Sequence, residues 1–174
     1  MQSDELKKTV GKALGRIPSG VFILTAGHGE GATAMMASWV QQASFLPPMV
    51  SVGVAKDRPI EQIIEREKTF VLNVLGEHDH VLMKKYARGV GAGPAAFEGL
   101  KVRQGENGAM ILEDALAYLE CRLASVCEYG GDHKIILGAK SYGTNSNFLL
   151  QVGHNQIRDA FKLIDGEAAR DLYQ

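Results

Sequence analysis

The sequence predicts a mainly β protein whose strands form a closed or nearly closed barrel. About six short apolar segments have strand-like patterns, and the helical segments between them do not alternate regularly with strands, as they would in a parallel α/β protein. Glycine makes up 20 of the 174 residues, an excess over the usual ~7% that favours a turn-rich β architecture. The length suits a single domain over residues 1–174.

The first half of the chain alternates between the two periodicities. Leu6, Val10 and Leu14 recur at helical spacing, whereas the next apolar run is short and continuous, as in a buried strand. Pro59 is well placed to open a helix, because it lacks only an N–H that would have no partner there, and the spacing of Ile60, Ile63 and Ile64 places them on the inward face of that helix. The predicted elements are a helix over 4–15, a strand over 21–26, a strand over 32–42 that completes a hairpin, a strand over 49–55 and a helix over 60–66.

The second half begins with a strand over 69–75 and a short helix from Asp79, and residues 88–110 are glycine-rich and irregular. A long strand over 115–129 follows, and a Gly-Gly-Asp turn leads into a last strand over 134–139. On the long strand Leu119, Cys121, Leu123 and Cys127 share one face by alternation. Both thiols are therefore predicted to be buried and inert. The tail over 141–174 has a weak pattern, with a suggestion of a terminal helix.

Composition excludes several classes of protein. The 19 basic and 20 acidic residues give a formal net charge of −1, which argues against a general nucleic-acid-binding coat and a polybasic membrane anchor. No apolar run approaches the roughly 20 residues of a membrane span, and the N-terminal segment does not resemble a signal peptide. The two cysteines form no CxxC motif. We therefore expect a cytoplasmic protein without nucleic-acid or membrane partners.

Several motifs lack the context that their chemistry requires. The glycine run over 27–31 lies between two strands and the run over 89–93 follows a helix, so neither has the setting of a dinucleotide-binding turn. His78 and His80 have no third ligand at a recognisable spacing, and no metal site is predicted. Glu61, Glu65 and Glu67 are predicted to form the solvated face of their helix.

Three segments remain as candidates for a site. Lys56, Asp57 and Arg58 precede a helix N-terminus, which suits a phosphate; the alternative is a solvated loop in which Asp57 caps the helix. The small residues of the strand over 32–42 would let a flat ring approach the backbone, with Trp39 as a wall; the alternative is a packed central strand beside a buried tryptophan. His133 follows a turn at the mouth of a strand, and its alternative is a hydrogen-bonded turn residue.

The same segments carry a resemblance to a known family. Residues 34–39, continuing to Ser44 and the pair Pro47-Pro48, then 73–75, then 131–133, resemble the flavin reductase-like family of FMN-binding split barrels. Residues 54–58 and 114–121 are similar to the flavin reductase domain of cyanobacterial-type diflavin (flavodiiron) proteins. The resemblance covers about residues 10–140, whereas the tail over 141–174 departs from the family pattern.

This resemblance implies a six-stranded Greek-key split barrel with a few short peripheral helices, a homodimer, and FMN bound in a groove, with FAD or riboflavin as alternative flavins. It implies that His133 lies beside the nicotinamide of NAD(P)H and that Lys56, Asp57 and Arg58 form the phosphate end. The other cofactor-binding residues that it implies are Met35, Met36, Ala37, Ser38, Trp39, Ser44 and Asn73.

The implied activity is hydride transfer from NAD(P)H to the flavin N5, with electrons passing on to an unidentified acceptor. An alternative is an FMN-binding electron carrier that a redox partner protein reduces. A third, non-enzymatic hypothesis is an interaction domain that kept the barrel and lost the flavin. Oxidation of NAD(P)H in the absence of any partner protein separates the first two.

Overall fold

The computed structural model describes residues 9–87 and 89–139. Residues 4–8 of the predicted first helix lie outside these ranges, as does the tail over 141–174, for which a terminal helix was suggested. The helices are α1 over 9–14, α2 over Pro59–Glu67 and α3 over His80–Tyr86. The strands are β1 Phe22–Ala26, β2 Thr33–Ala37, β3 Val40–Phe45, β4 Pro48–Ala55, β5 Thr69–Val74, β6 Val102–Gln104, β7 Met110–Leu112, β8 Ala117–Cys127 and β9 His133–Ala139.

Seven strands form one antiparallel sheet in the order β2-β1-β5-β8-β9-β4-β3. The two edge strands of this sheet, β2 and β3, are separated in the chain only by Ser38 and Trp39. So short a connection spans at most about 11 Å, so the sheet curls until its edges meet. The N–H of Gly53 on β4 donates to the carbonyl oxygen of Trp39 at 2.8 Å, which extends the pairing of β3 with β4 into this connection. The predicted mainly β barrel is thus confirmed, and the described residues contribute seven strands to its sheet where six were expected.

Two predicted segments differ in detail from the structure. The single strand expected over 32–42 is two strands, because β2 pairs with β1 while β3 pairs with β4. A straight strand cannot serve both edges of a sheet, and the break at residues 38 and 39 lets the chain change partners. The region over 88–110 contains β6, which pairs with β7 to form a small second sheet. Each of these two strands has three residues and is too short to show a period of two.

Helix α2 packs against the interior of the barrel. Its residues Ile60, Ile63 and Ile64 are buried in one apolar cluster with Leu24 and Phe70 from the sheet. Burial of each isoleucine stabilises the fold by roughly 1.5–3 kcal/mol, and the predicted amphipathic face is confirmed. A second cluster on the other side of β1 and β2 holds α3 through buried residues of that helix, Leu82 and Tyr86.

A β-bulge changes the face of the last residues of β8. The register with β9 shifts between Leu123 and Ser125, so one extra residue reverses the inward–outward alternation beyond it. Cys121 lies before the bulge and is buried, whereas Cys127 pairs with the exposed Ile135 and is only half-buried. The prediction of a buried thiol is therefore confirmed for Cys121 and wrong for Cys127.

Candidate functional site

The aromatic part of the candidate site is a contact between Trp39 and His133. Their ring centroids are 4.4 Å apart and the ring planes are inclined by 43°. Trp39 is 60% exposed, so the alternative of a buried tryptophan is wrong. A Cβ atom on Gly53 would lie 3.1 Å from both Cβ and Cε3 of Trp39. The glycine therefore lets the indole lie directly against β4, beside the first residue of β9.

His133 is oriented by its neighbour in the turn. Its Nδ1 lies 2.9 Å from Oδ1 of Asp132, and this hydrogen bond, with the charge interaction between the two groups, lowers the pKa of the Asp132 carboxyl. An ionised carboxylate only accepts hydrogen bonds, so Nδ1 of His133 donates and Nε2 is the nitrogen available to a ligand. His133 is thus also the hydrogen-bonded turn residue of the alternative interpretation, and this bond directs its ring.

The loop over residues 56–58 lies directly beside this turn. The backbone N–H of Lys56 donates to the carbonyl oxygen of Asp132 at 3.0 Å. The structure therefore brings together the two segments expected at the phosphate end and the nicotinamide end of a site. Asp57 has a left-handed backbone, with φ 64°, which aspartate tolerates better than most residues. Among the described residues the side chain of Arg58 makes no hydrogen bond or ion pair, and its guanidinium lies near Gly89.

Helix α2 is capped in a way that the sequence analysis did not predict. The Asp57 side chain does not cap the helix; instead the backbone N–H of Asp57 donates to Oε2 of Glu61 at 3.0 Å. Glu61 is only 6% exposed, so its predicted place on a solvated face is wrong. The carboxylate of Glu61 forms an ion pair with Lys134 as well as the cap, which explains why it can be buried.

Two lysines and three glutamates form a charged cluster between α2, β9 and the end of β8. Lys134 pairs with Glu61 and, at 3.1 Å, with Glu65, and hydrogen bonds with these two carboxylates raise the pKa of Lys134. Lys56 pairs with Glu128, whose pKa is lowered by its hydrogen bond to Lys56 and by that lysine's charge. Glu128 also lies 4.0 Å from Lys134. Of the residues expected at the phosphate end, Lys56 is thus paired with an acidic side chain, whereas the side chain of Arg58 has no such partner among the described residues.

The predicted flavin cradle is only partly exposed. The side chain of Met35 packs on the barrel interior, Met36 packs against the cluster around α3, and Ala37 is buried. Ser38 is exposed beside Trp39, so the accessible part of this segment is the step between the two edge strands. Ser44 is half-buried at an irregularity in β3, near the opposite end of that strand from Trp39.

Asn73 lies across β1 from the predicted cradle, because Asn73 and Met36 both pair with Ile23 of that strand. Its strand β5 pairs with β1 and β8, not with the strands that carry Gly53 and His133. Its side chain is fully buried: the amide nitrogen donates to the Ile23 oxygen at 3.0 Å and to the Thr25 hydroxyl at 3.3 Å, and its oxygen accepts from the N–H of Leu112 at 2.9 Å. Asn73 therefore links three strands of the wall, and its contact with a cofactor stays a prediction.

Sequence reasoning missed Gly53, Asp132, Glu128 and Lys134 as members of this region. Glu61 and Glu65 are four residues apart and so share one face of α2, which is the one local signal that they could act together. The partner of that face depends on where β9 lies, and no local pattern contains that information.

Within the described ranges, no three histidine, cysteine or acidic side chains are grouped so as to hold a metal ion. None of the described helices combines the length and apolar composition needed to cross a bilayer.

Residues 14–143 match the family described as the flavin reductase like domain. The chain is 43% identical over 159 residues to diflavin flavoprotein A 1 of Synechocystis, covering 90% of this chain and 28% of that protein. It is 44% identical over 149 residues to the putative diflavin flavoprotein A 3 of Nostoc, covering 84% of this chain and 26% of that protein. The chain therefore spans about a quarter of the length of these relatives.

Solved structures are similar over most of the described chain. The NADH:FAD oxidoreductase of Streptomyces globisporus C-1027 matches with a TM-score of 0.69 and 30% identity, covering 76% of this chain and 78% of that one. The flavin reductase component of a bacterial two-component tryptophan halogenase matches with a TM-score of 0.67 and 27% identity, covering 76% of this chain and 83% of that one. The predicted split-barrel class is confirmed.

Proposed function

This chain belongs to the flavin reductase-like family, and on that premise we propose that it is an NAD(P)H:flavin oxidoreductase that binds FMN. Family membership makes the chain a flavin-related oxidoreductase domain. The nicotinamide donor and the choice of FMN over FAD or riboflavin are what we propose. The observation that carries it is the junction of Lys56 with the Asp132–His133 turn, where a cationic loop meets an oriented imidazole and an exposed indole.

The residues at this junction suit a phosphorylated flavin. Arg58 has no ionic partner among the described residues and precedes Pro59, the first residue of α2. A guanidinium at a helix N-terminus favours a phosphate through both charge and helix dipole. Lys56 adds a second cation, although Glu128 shares it. The exposed face of Trp39, beside Ser38, offers an aromatic surface to a planar ring.

When bound, the flavin supplies the redox chemistry by accepting a hydride from the nicotinamide. The protein contributes the orientation of the two reacting rings. Asp132 accepts a hydrogen bond from Nδ1 of His133 and so fixes the direction of Nε2. The Trp39 ring contacts the imidazole and limits its movement further. In this arrangement His133 positions the nicotinamide rather than acting as an obligatory base.

The direct test is an anaerobic titration of flavin-stripped protein with FMN, followed by addition of NADH or NADPH without any partner protein. Bleaching of the bound flavin by either nucleotide supports the reductase. FMN that binds but stays oxidised with both nucleotides supports the alternative, an electron carrier reduced by a partner protein. Failure to bind FMN contradicts both and leaves the interaction domain.

His133→Ala tests the positioning role within the same assay. Without the imidazole we expect slower reduction by the nucleotide and a higher KM for it, because the nicotinamide loses its contact. FMN affinity should stay unchanged, since the phosphate end is formed by Lys56 and Arg58. Loss of FMN from this variant would contradict the assignment of His133.

We also propose that the chain forms a homodimer. Leu14, Ile17, Phe45 and Leu46 are all more than half exposed, and among the described strands β3, which ends at Phe45, pairs only with β4. Exposed apolar side chains that form a contiguous patch mark an interaction surface, and we propose that these residues meet their equivalents in a second copy of the chain. Sedimentation of the purified chain tests this; a monomer at micromolar concentration would contradict it.

A further inference from the structure

The Glu128 carboxylate lies against Lys56, at the proposed phosphate end, where a flavin phosphate would also bind. It follows the last residue of β8 and its side chain is 51% exposed, yet its carboxylate pairs with Lys56. Within the described part of the chain this is the one ion pair of Lys56. A flavin phosphate and the Glu128 carboxylate therefore require the same ammonium group.

The Glu128 carboxylate can move away from Lys56 without creating an unpaired charge inside the protein. Lys134, the other lysine within 4.0 Å of Glu128, is already paired with Glu61 and Glu65. Glu128 itself is exposed enough to be solvated once released. Lys56 would lose its counter-ion, and a phosphate is the group that would replace it.

We propose that Glu128 is an internal competitor of the flavin phosphate for Lys56, so that binding of FMN exchanges one ion pair for another. The proposal rests on the proposed function, because it needs Lys56 at the phosphate end. It assigns to Glu128 a role in specificity: the residue lowers the affinity for phosphorylated flavins and leaves that for riboflavin, which has no phosphate, unchanged.

The charge balance predicts the sign of the effect. The cluster contains three carboxylates and two ammonium groups, so it is already negative before a phosphate enters. Glu128→Gln removes one negative charge and releases Lys56 while keeping the shape of the side chain. Exposed ion pairs of this kind change affinity by a factor of roughly two to five, so FMN should bind two- to fivefold more tightly to this variant.

The test compares dissociation constants for FMN and riboflavin, measured by quenching of flavin fluorescence, in the unchanged chain and in Glu128→Gln. Glu106→Gln is the matched control, because it makes the same change of charge at an exposed position with no ion pair among the described residues. We expect tighter FMN binding only in Glu128→Gln, with riboflavin unchanged in both. Equal tightening of FMN and riboflavin, or the same gain in the control, would overturn the proposal.

A double-mutant cycle separates exchange from simple repulsion. In a Lys56→Ala background there is no ammonium to compete for, so Glu128→Gln should lose most of its effect on FMN affinity. A full effect in that background would show that Glu128 acts only by long-range repulsion, which overturns the exchange. If the unchanged chain binds neither flavin, the proposed function fails as well; if it binds both and the FMN-to-riboflavin ratio is the same in Glu128→Gln, only this inference fails.

Discussion

Asn73→Ala is the substitution that most directly separates a structural role from a cofactor role. Asn73 is predicted by resemblance to contact the flavin, but its side chain is fully buried and bonded to three other residues. Truncation removes a hydrogen bond of 3.0 Å to the Ile23 oxygen and leaves the buried N–H of Leu112 without its acceptor. If the role is structural, the free energy of unfolding of the variant falls while its affinity for FMN changes little.

The magnitude follows from these two effects. A buried backbone donor left without a partner costs about 1–3 kcal/mol, and a lost intramolecular hydrogen bond costs about 0.5–1.5 kcal/mol. The free energy of unfolding should therefore fall by about 1.5–4.5 kcal/mol. Urea denaturation of the flavin-free chain, followed by circular dichroism, measures it, with a slope that stays unchanged if only stability is altered.

Asn107→Ala is the matched comparison. Asn107 also donates twice, to the oxygens of Phe70 at 2.9 Å and Cys121 at 3.2 Å, but it is only half-buried. Water can replace its bonds, so the loss should be nearer to 1 kcal/mol. A loss below about 1 kcal/mol for Asn73→Ala, together with at least tenfold weaker FMN binding, would refute the structural reasoning and support a cofactor contact.

Three further substitutions or measurements test separate parts of the structure. Trp39 is the single tryptophan of the chain, so His133→Ala should change its emission spectrum by removing the ring 4.4 Å away; an identical spectrum would contradict the contact. Gly138→Ala places a methyl group against the Phe70 ring in the barrel interior and should destabilise the fold by about 1–3 kcal/mol in urea denaturation; unchanged stability would contradict the packing. Burial raises the pKa of Cys121 to about 12, so at pH 8 a thiol reagent should modify only the other cysteine until the chain is unfolded; rapid reaction of both would contradict its burial.

Much of the local structure could be predicted from the sequence because it depends on neighbours in the chain. The apolar spacing of α2 and the proline at its first turn predicted both the helix and its buried face. The Gly-Gly-Asp turn predicted to within one residue where β9 begins, and with it the position of His133 at the mouth of that strand. Resemblance added the expectation that this histidine and the loop over 56–58 belong to one site.

Other features could not be predicted, because they depend on register between distant strands. The bulge in β8 turns Cys127 outward, although alternation along the strand assigns it to the same face as Cys121. The pairing of Glu61 with Lys134 joins residues 73 positions apart. An amphipathic pattern indicates that Glu61 lies on the polar side of α2, but not that a lysine from β9 covers that side.

The sequence by itself determined the mainly β class, the bounds of most strands, and the chemical character of the segments at 56–58 and 131–133. Only the tertiary structure decided that residues 38 and 39 close the barrel, that Trp39 lies on His133 over Gly53, and that Glu128 holds Lys56. The physical reason is range: periodicity and turn propensity act within a few residues, whereas contacts between side chains are set by which strands the curled sheet brings together.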